Sequence, residues 1–173
     1  MKRILTLLVT MPLLILAACS GMSDHNDADV DFAQQMIPHH RQAIMMANFV
    51  PGTGASPEIV ALATRIKAAQ TPEITQMSGW LDEWDESSMD HGGMGNMASD
   101  GMVSGADMRT LSSATGEEFD QLWLTGMIAH HEGAVTMAEE VLKDGDSSDV
   151  ATLARNIINS QTAEIAIMKG LLR

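Results

Sequence analysis

The chain has 173 residues, a formal net charge of −13, one Cys, no Tyr and 15 Met. An acidic surface of this kind repels nucleic acid and collects cations, and a lone cysteine rules out an internal disulfide. There is no phosphate-cradling loop, no nucleophile paired with a base and no basic patch, which argues against nucleotide-binding, hydrolase and nucleic-acid functions.

At the N-terminus Met1-Lys2-Arg3 precedes an apolar run from Ile4 to Leu16 and then Ala17-Ala18-Cys19. The run is too short to span a bilayer and reads as a secretory signal over residues 1–18. Leu16-Ala17-Ala18-Cys19 resembles a bacterial lipobox, so Cys19 is expected to carry lipid and residues 19–28 to form a flexible tether. The mature chain would then lie outside the cytoplasm on a membrane anchor, and Ser20 after the Cys points to the outer membrane, facing the periplasm. What remains is enough for one domain with a real core.

Four helical patterns follow, at about 29–49, 57–84, 117–143 and 148–172. Pro51-Gly52-Thr53-Gly54 breaks the first pair and Asp144-Gly145-Asp146-Ser147 the second, so each pair is a hairpin. Ser56-Pro57 marks one helix start, Thr115 with Glu118 reads as a capping box for another, and Ser147 or Ser148 opens the last. Pro38 and Pro72 fall inside helices and are expected to kink them, each freeing a carbonyl four residues earlier. Period-two alternation is absent, so no strands are expected. Residues 83–119 form an insert rich in Gly, Met and polar residues, which reads as a mobile loop with one helical turn near Asp107–Ser113.

The hairpins are copies. Met36-Ile37-Pro38-His39-His40 returns as Met127-Ile128-Ala129-His130-His131, a displacement of 91 positions (130 less 39), and Gln70, Glu73 and Met77 return as Gln161, Glu164 and Met168 at the same offset. Residues 29–82 therefore pair with 120–173 as a tandem duplication, and residues 29–173 should fold as an all-α, up-and-down four-helix bundle of two hairpins related by a pseudo-twofold.

At about 100° per residue, Met36, His39, His40 and Met46 share one arc of about 120° on the first helix, with Ala43 and Ala47 in its middle. Met127, His130, His131 and Met137 repeat the arc. On the second helix of each hairpin Glu73 and Glu164 stand in the apolar stripe beside Gln70 and Gln161, with Met77 and Met168 as further ligands or supports. A buried carboxylate needs a partner, and the expected one is a histidine of its own hairpin. A di-iron bundle would place Glu-x-x-His on its helices. Here Met36 precedes His39 and Met127 precedes His130, so thioethers stand where a hard metal would want carboxylates. That exchange favours Cu(I), or Ag(I), with imidazole also able to hold Cu(II). Met89, His91, Met94, Met97 and Met102 of the insert could wrap a soft cation as well.

The paired Met-Ile-x-His-His-x-x-Ala-x-x-Met-Ala blocks, each followed by Gln-x-x-Glu-Ile-x-x-Met, resemble the domain-of-unknown-function family numbered three hundred and five across residues 29–173. The resemblance implies a ferritin-like four-helix bundle, secreted or lipid-anchored, some of whose members bind copper in the periplasm and support copper tolerance. It also implies that Met36, His39, His40, Met46, Met127, His130, His131 and Met137 are the metal-associated positions, with Glu73 and Glu164 nearby. The expected function is a copper-binding envelope lipoprotein, not an enzyme, that sequesters Cu(I) or passes it to a transfer protein. A ferritin-type di-metal iron oxidase is the competing reading, and an adaptor bundle with merely structural histidines is the third.

Overall fold

The computed structural model describes residues 24–87 and 101–172. The signal, Cys19 and the loop residues Met89, His91, Met94 and Met97 lie outside these residues. The described chain forms α1 (Asp27–Phe49), α2 (Pro57–Glu83), α3 (Gly105–Ser113), α4 (Gly116–Asp144) and α5 (Ser148–Leu171). It contains no strand among the described residues, and no described helix is long and apolar enough to cross a membrane.

Helix α1 begins at Asp27, two residues ahead of the expected 29, because Asn26 caps it. The Asn26 side chain accepts from the Ala28 and Asp29 N–H groups, and Asp29 Oδ2 accepts from the Asn26 N–H at 2.9 Å, which completes a capping box. The helices run unbroken through Pro38 and Pro72. Pro57 opens α2, where a missing N–H is harmless. The capping box expected at Thr115 and Glu118 does not form: Thr115 makes no side-chain cap bond. Gly116 enters α4 at φ +59° and gives its N–H to Thr53 O at 2.8 Å, so backbone from the other hairpin's turn takes over part of that cap's work.

Helices α1 and α4 run antiparallel at the centre, since Asp29 meets the 145–147 turn, His39 meets His130, and the Trp123 indole N–H donates to Met46 O at 3.1 Å. Each carries its hairpin partner, α2 on α1 and α5 on α4. Direction alternates within each hairpin, and the long crossover makes α2 and α4 parallel, the ferritin-like arrangement.

The hairpins are clasped reciprocally by one repeated residue. Ser56 and Ser147 precede α2 and α5, yet neither makes a side-chain cap. Asp120 instead accepts the Ser56 N–H at 3.1 Å, and its repeat partner Asp29 accepts from Asp146 and Ser147 at 3.0 and 3.1 Å. Each first helix thus caps the second helix of the other hairpin, placing a carboxylate at a positive helix end. Gly145 is needed at this junction, because a β-carbon there would lie 2.5 Å from Asp29 Oδ1.

Candidate metal centre

The seam between α1 and α4 holds four imidazoles where a core would normally be aliphatic: His39 and His130 with their neighbours His40 and His131 are at most 2% exposed. The helical arc read from the sequence brings them there. The rings of His39 and His130 lie face to face, centroids 3.7 Å apart and tilted by 36°. His40 Nε2 meets Glu73 Oε2 at 2.7 Å, and His131 Nε2 meets Glu164 Oε2 at 2.8 Å. The expected partnership of each carboxylate with a histidine of its own hairpin is therefore present, twice and in the same geometry.

A carboxylate oxygen accepts, so Nε2 of His40 and of His131 carries the hydrogen. The Nδ1 atoms of both rings are buried with no protein partner. With Nε2–H turned to the carboxylate, the buried Nδ1 of each ring is the position left for a guest. Nitrogen-15 spectra of the metal-free protein should accordingly show His40 and His131 as Nε2–H tautomers, and Glu73→Ala should scramble His40 alone. Nδ1–H tautomers in the wild type would contradict this assignment.

His130 is lowered well below the ordinary histidine value, first by burial and then by the nearby His39, His131 and His40. It stays neutral in the fold while the unfolded chain, at about 6.5, takes up a proton. The sign follows: this stability is fully present above pH 6.5 and is lost as pH falls toward the lower folded value. Thermal melts of metal-free protein should drop between about pH 7 and pH 5, and His130→Leu should flatten that slope; identical slopes would count against it.

Thioethers flank the imidazoles on both sides. Met36, Met77 and Met137 belong to one half of the core, and Met46, Met127 and Met168 to the other. Under the repeat these trios are images of each other, each with one Met from α1 and one from α4. Met36 and Met127 sit three residues before His39 and His130, about one helical turn away. All are at most 8% exposed.

Two amides complete the layer. Gln70 and Gln161 are 3% and 2% exposed, and Gln70 Oε1 and Nε2 and Gln161 Oε1 have no protein partner. Buried polar atoms are nearly always satisfied, so this concentration of open lone pairs fits a site built for a guest. No three His, Cys, Asp or Glu side chains gather as a metal set among the described residues. The two Glu are each occupied by a histidine Nε2, so the hard-ligand cluster of a di-iron site is not assembled. Imidazole with thioether is the donor set on offer, one suited to soft cations.

Of the predicted residues, the eight His and Met of the two arcs all enter the buried seam, with Met77 and Met168 beside them. Met102 does not belong to a mobile loop as expected: residues 101–104 are bound to α1, because the Gln42 side chain pairs with the Val103 backbone. The helical turn expected at 107–113 is the full helix α3. Gln70 and Gln161, which return at the common offset, are buried in the same layer.

Fold and centre together define a helical bundle with a buried, duplicated histidine–methionine core. Residues 29–172 match the family model described as Domain of unknown function (DUF305), and the chain belongs to that family. A family fragment from Deinococcus radiodurans is 31% identical with a TM-score of 0.78, covering 85% of this chain and 96% of that one. A protein from Streptomyces coelicolor described as a secreted DUF305 protein is 32% identical with a TM-score of 0.74, covering 84% and 90%. CopM in its Cu(II)-bound form is 30% identical with a TM-score of 0.72, covering 83% and 95%, and CopM has also been solved with Cu(I) and with silver. Among curated sequences, protein L153 of Acanthamoeba polyphaga mimivirus is 32% identical over 77 residues, and the chain spans about half (51%) of its length.

Proposed function

We propose that this protein handles copper in the cell envelope, holding Cu(I) in its core and retaining or passing it on, with Ag(I) as an alternative guest. The observation that carries the reading is the close, tilted His39–His130 pair between two buried methionine trios, with open Nδ1 atoms on His40 and His131. Neutral imidazole and thioether match a polarisable monovalent ion, which such ligands select over hard divalent ions. The copper- and silver-bound forms of CopM support the same choice for this chain, and the secreted relative supports an extracytoplasmic location. The N-terminal signal and Cys19 add a lipid anchor to the proposal, and the acidic surface would raise the local cation concentration.

The role proposed is not enzymatic. A ferritin-type iron oxidase would require Glu73 and Glu164 to share a site, whereas each engages a separate histidine. Mature protein purified without an affinity tag should take Cu(I) from a chromophoric chelator in competitive titration and should not consume oxygen when given Fe(II). Failure to compete for Cu(I) would contradict the reading; oxygen consumption with Fe(II) would favour the oxidase, and binding of neither metal the adaptor.

A further inference from the structure

Duplication alone would make the two halves of the core equivalent, but the described strap of the insert, residues 101–104, docks on only one of them. Residues 101–104 lie as a strap over the α1–α4 seam beside Met46. Gln42 Nε2 donates to Val103 O at 2.9 Å while Gln42 Oε1 accepts the Val103 N–H at 2.8 Å, so one side chain holds the strap as a neighbouring strand would. Gly101, at φ +75°, lets the strap lie flat: a β-carbon there would collide with the Ala129 carbonyl and sit 3.1 Å from Gly133 Cα. A β-carbon on Gly126 would come within 3.2 Å of Met46 Cε and 3.4 Å of Val103 Cγ2.

The repeat is broken at these same places. The partner of Gln42 is Gly133, and the partner of Gly126 is Gln35, so the anchor exists on α1 only and the bare surfaces on α4 only. Beneath the strap is a cavity of about 430 Å³ lined by Met46, Met102, Val103, Thr125 and Gly126. On the other side, Met137 stands where Met46 does, and a shallower groove of about 190 Å³ runs past it between Gln35 and Glu140. No described residue of the strap reaches that groove. Met137 keeps 8% exposure, whereas Met46 has none.

We propose that Met46 and Met102 form a thioether site for a soft monovalent cation beneath the strap, without a twin among the described residues of the other repeat, so that the two halves of the protein retain their cations unequally. This rests on the copper-handling reading and adds a division of labour to it. Two sulfurs borne on separate elements, Met46 buried in a helix and Met102 half-buried on a strap pinned by Gln42, line one cavity and are partly preorganised for chelation. The Met137 side, which no described strap residue covers and which borders the open groove, exchanges its ion more readily.

The test uses mature protein carrying ¹³C-methyl methionine, titrated with silver ion as a redox-inert probe. Met46 and Met102 methyl signals should move together and ahead of Met137. Met102→Leu, and separately Gln42→Ala, should remove that early phase and speed silver loss to a competing chelator by about tenfold, the lower end of what losing a ligand or its support costs. Parallel movement of Met46 and Met137, or unchanged release in both variants, overturns the strap site while leaving the central reading intact. Movement of no Met or His signal overturns both.

Discussion

Replacing His39 and His130 together by alanine should weaken Cu(I) binding by more than the ~10–100-fold typical of losing an outer-shell partner, because these rings stand at the middle of the seam rather than behind it. The ring centroids are 3.7 Å apart, and each ring lies a turn from a buried Met, so their removal opens the centre of both halves at once. The metal-free fold need not suffer in proportion. His130 is wholly buried and desolvated beside three other imidazoles, a configuration that costs stability until a guest arrives. His130→Leu should therefore leave the metal-free melting temperature equal or higher while reducing the shift produced by adding Cu(I). Competitive titration alongside melts followed by circular dichroism checks both halves of this expectation. A variant that binds Cu(I) as tightly as wild type, or one that unfolds without metal, would contradict it.

The second large effect concerns the clasp. Asp29 is fully buried and takes three backbone N–H groups, from Asn26, Asp146 and Ser147. Asp29→Ala strands those donors and uncaps α5, which should lower stability by about 2–4 kcal/mol, since charge-assisted hydrogen bonds contribute about 1.5–3 kcal/mol and stranded buried donors add to the loss. For a domain of this length that is a fall of about 5–15 °C in melting temperature. Asp120→Ala, at the half-buried twin, should cost less because one donor, Ser56 N–H, is involved. Thermal melts of the two single variants rank them, and equal or negligible effects would refute the reciprocal capping.

Much of this architecture can be read from one sequence because duplication repeats its own evidence. A single Met-x-x-His-His on a helix is ambiguous between packing and ligation, but its return with Gln70/Gln161 and Glu73/Glu164 at a common offset fixes which faces converge. Helix limits follow from Pro57, the glycine turns and the period of apolar residues, and the observed ends differ by at most two residues. The carboxylate partners were legible for a different reason, since a glutamate in an apolar stripe must find a partner and a histidine of its own hairpin was the expected one.

What remained hidden depends on contacts between segments distant in sequence. Asp29 and Asp120 look like ordinary first-turn acids until the turn of the other hairpin is seen beside them. Thr115 and Glu118 have the letters of a capping box, yet the backbone link from Gly116 to Thr53 prevails. The strap is the clearest case: a Gly- and Met-rich stretch carries no periodicity, and nothing near Val103 in sequence announces that Gln42, 61 positions away, will bind it. Departures from the repeat, Gln42 against Gly133 and Gly126 against Gln35, were the trace of that contact.

Anomalous diffraction at the copper edge, from crystals of the mature protein grown anaerobically with Cu(I), bears most directly on whether the histidine–methionine seam is a metal site. Copper peaks should fall within the bundle, bonded to imidazole nitrogens of the His39–His130 layer and to sulfurs of Met36 or Met127. Copper confined to surface carboxylates, with the four central rings packed as in the metal-free protein, would contradict the account.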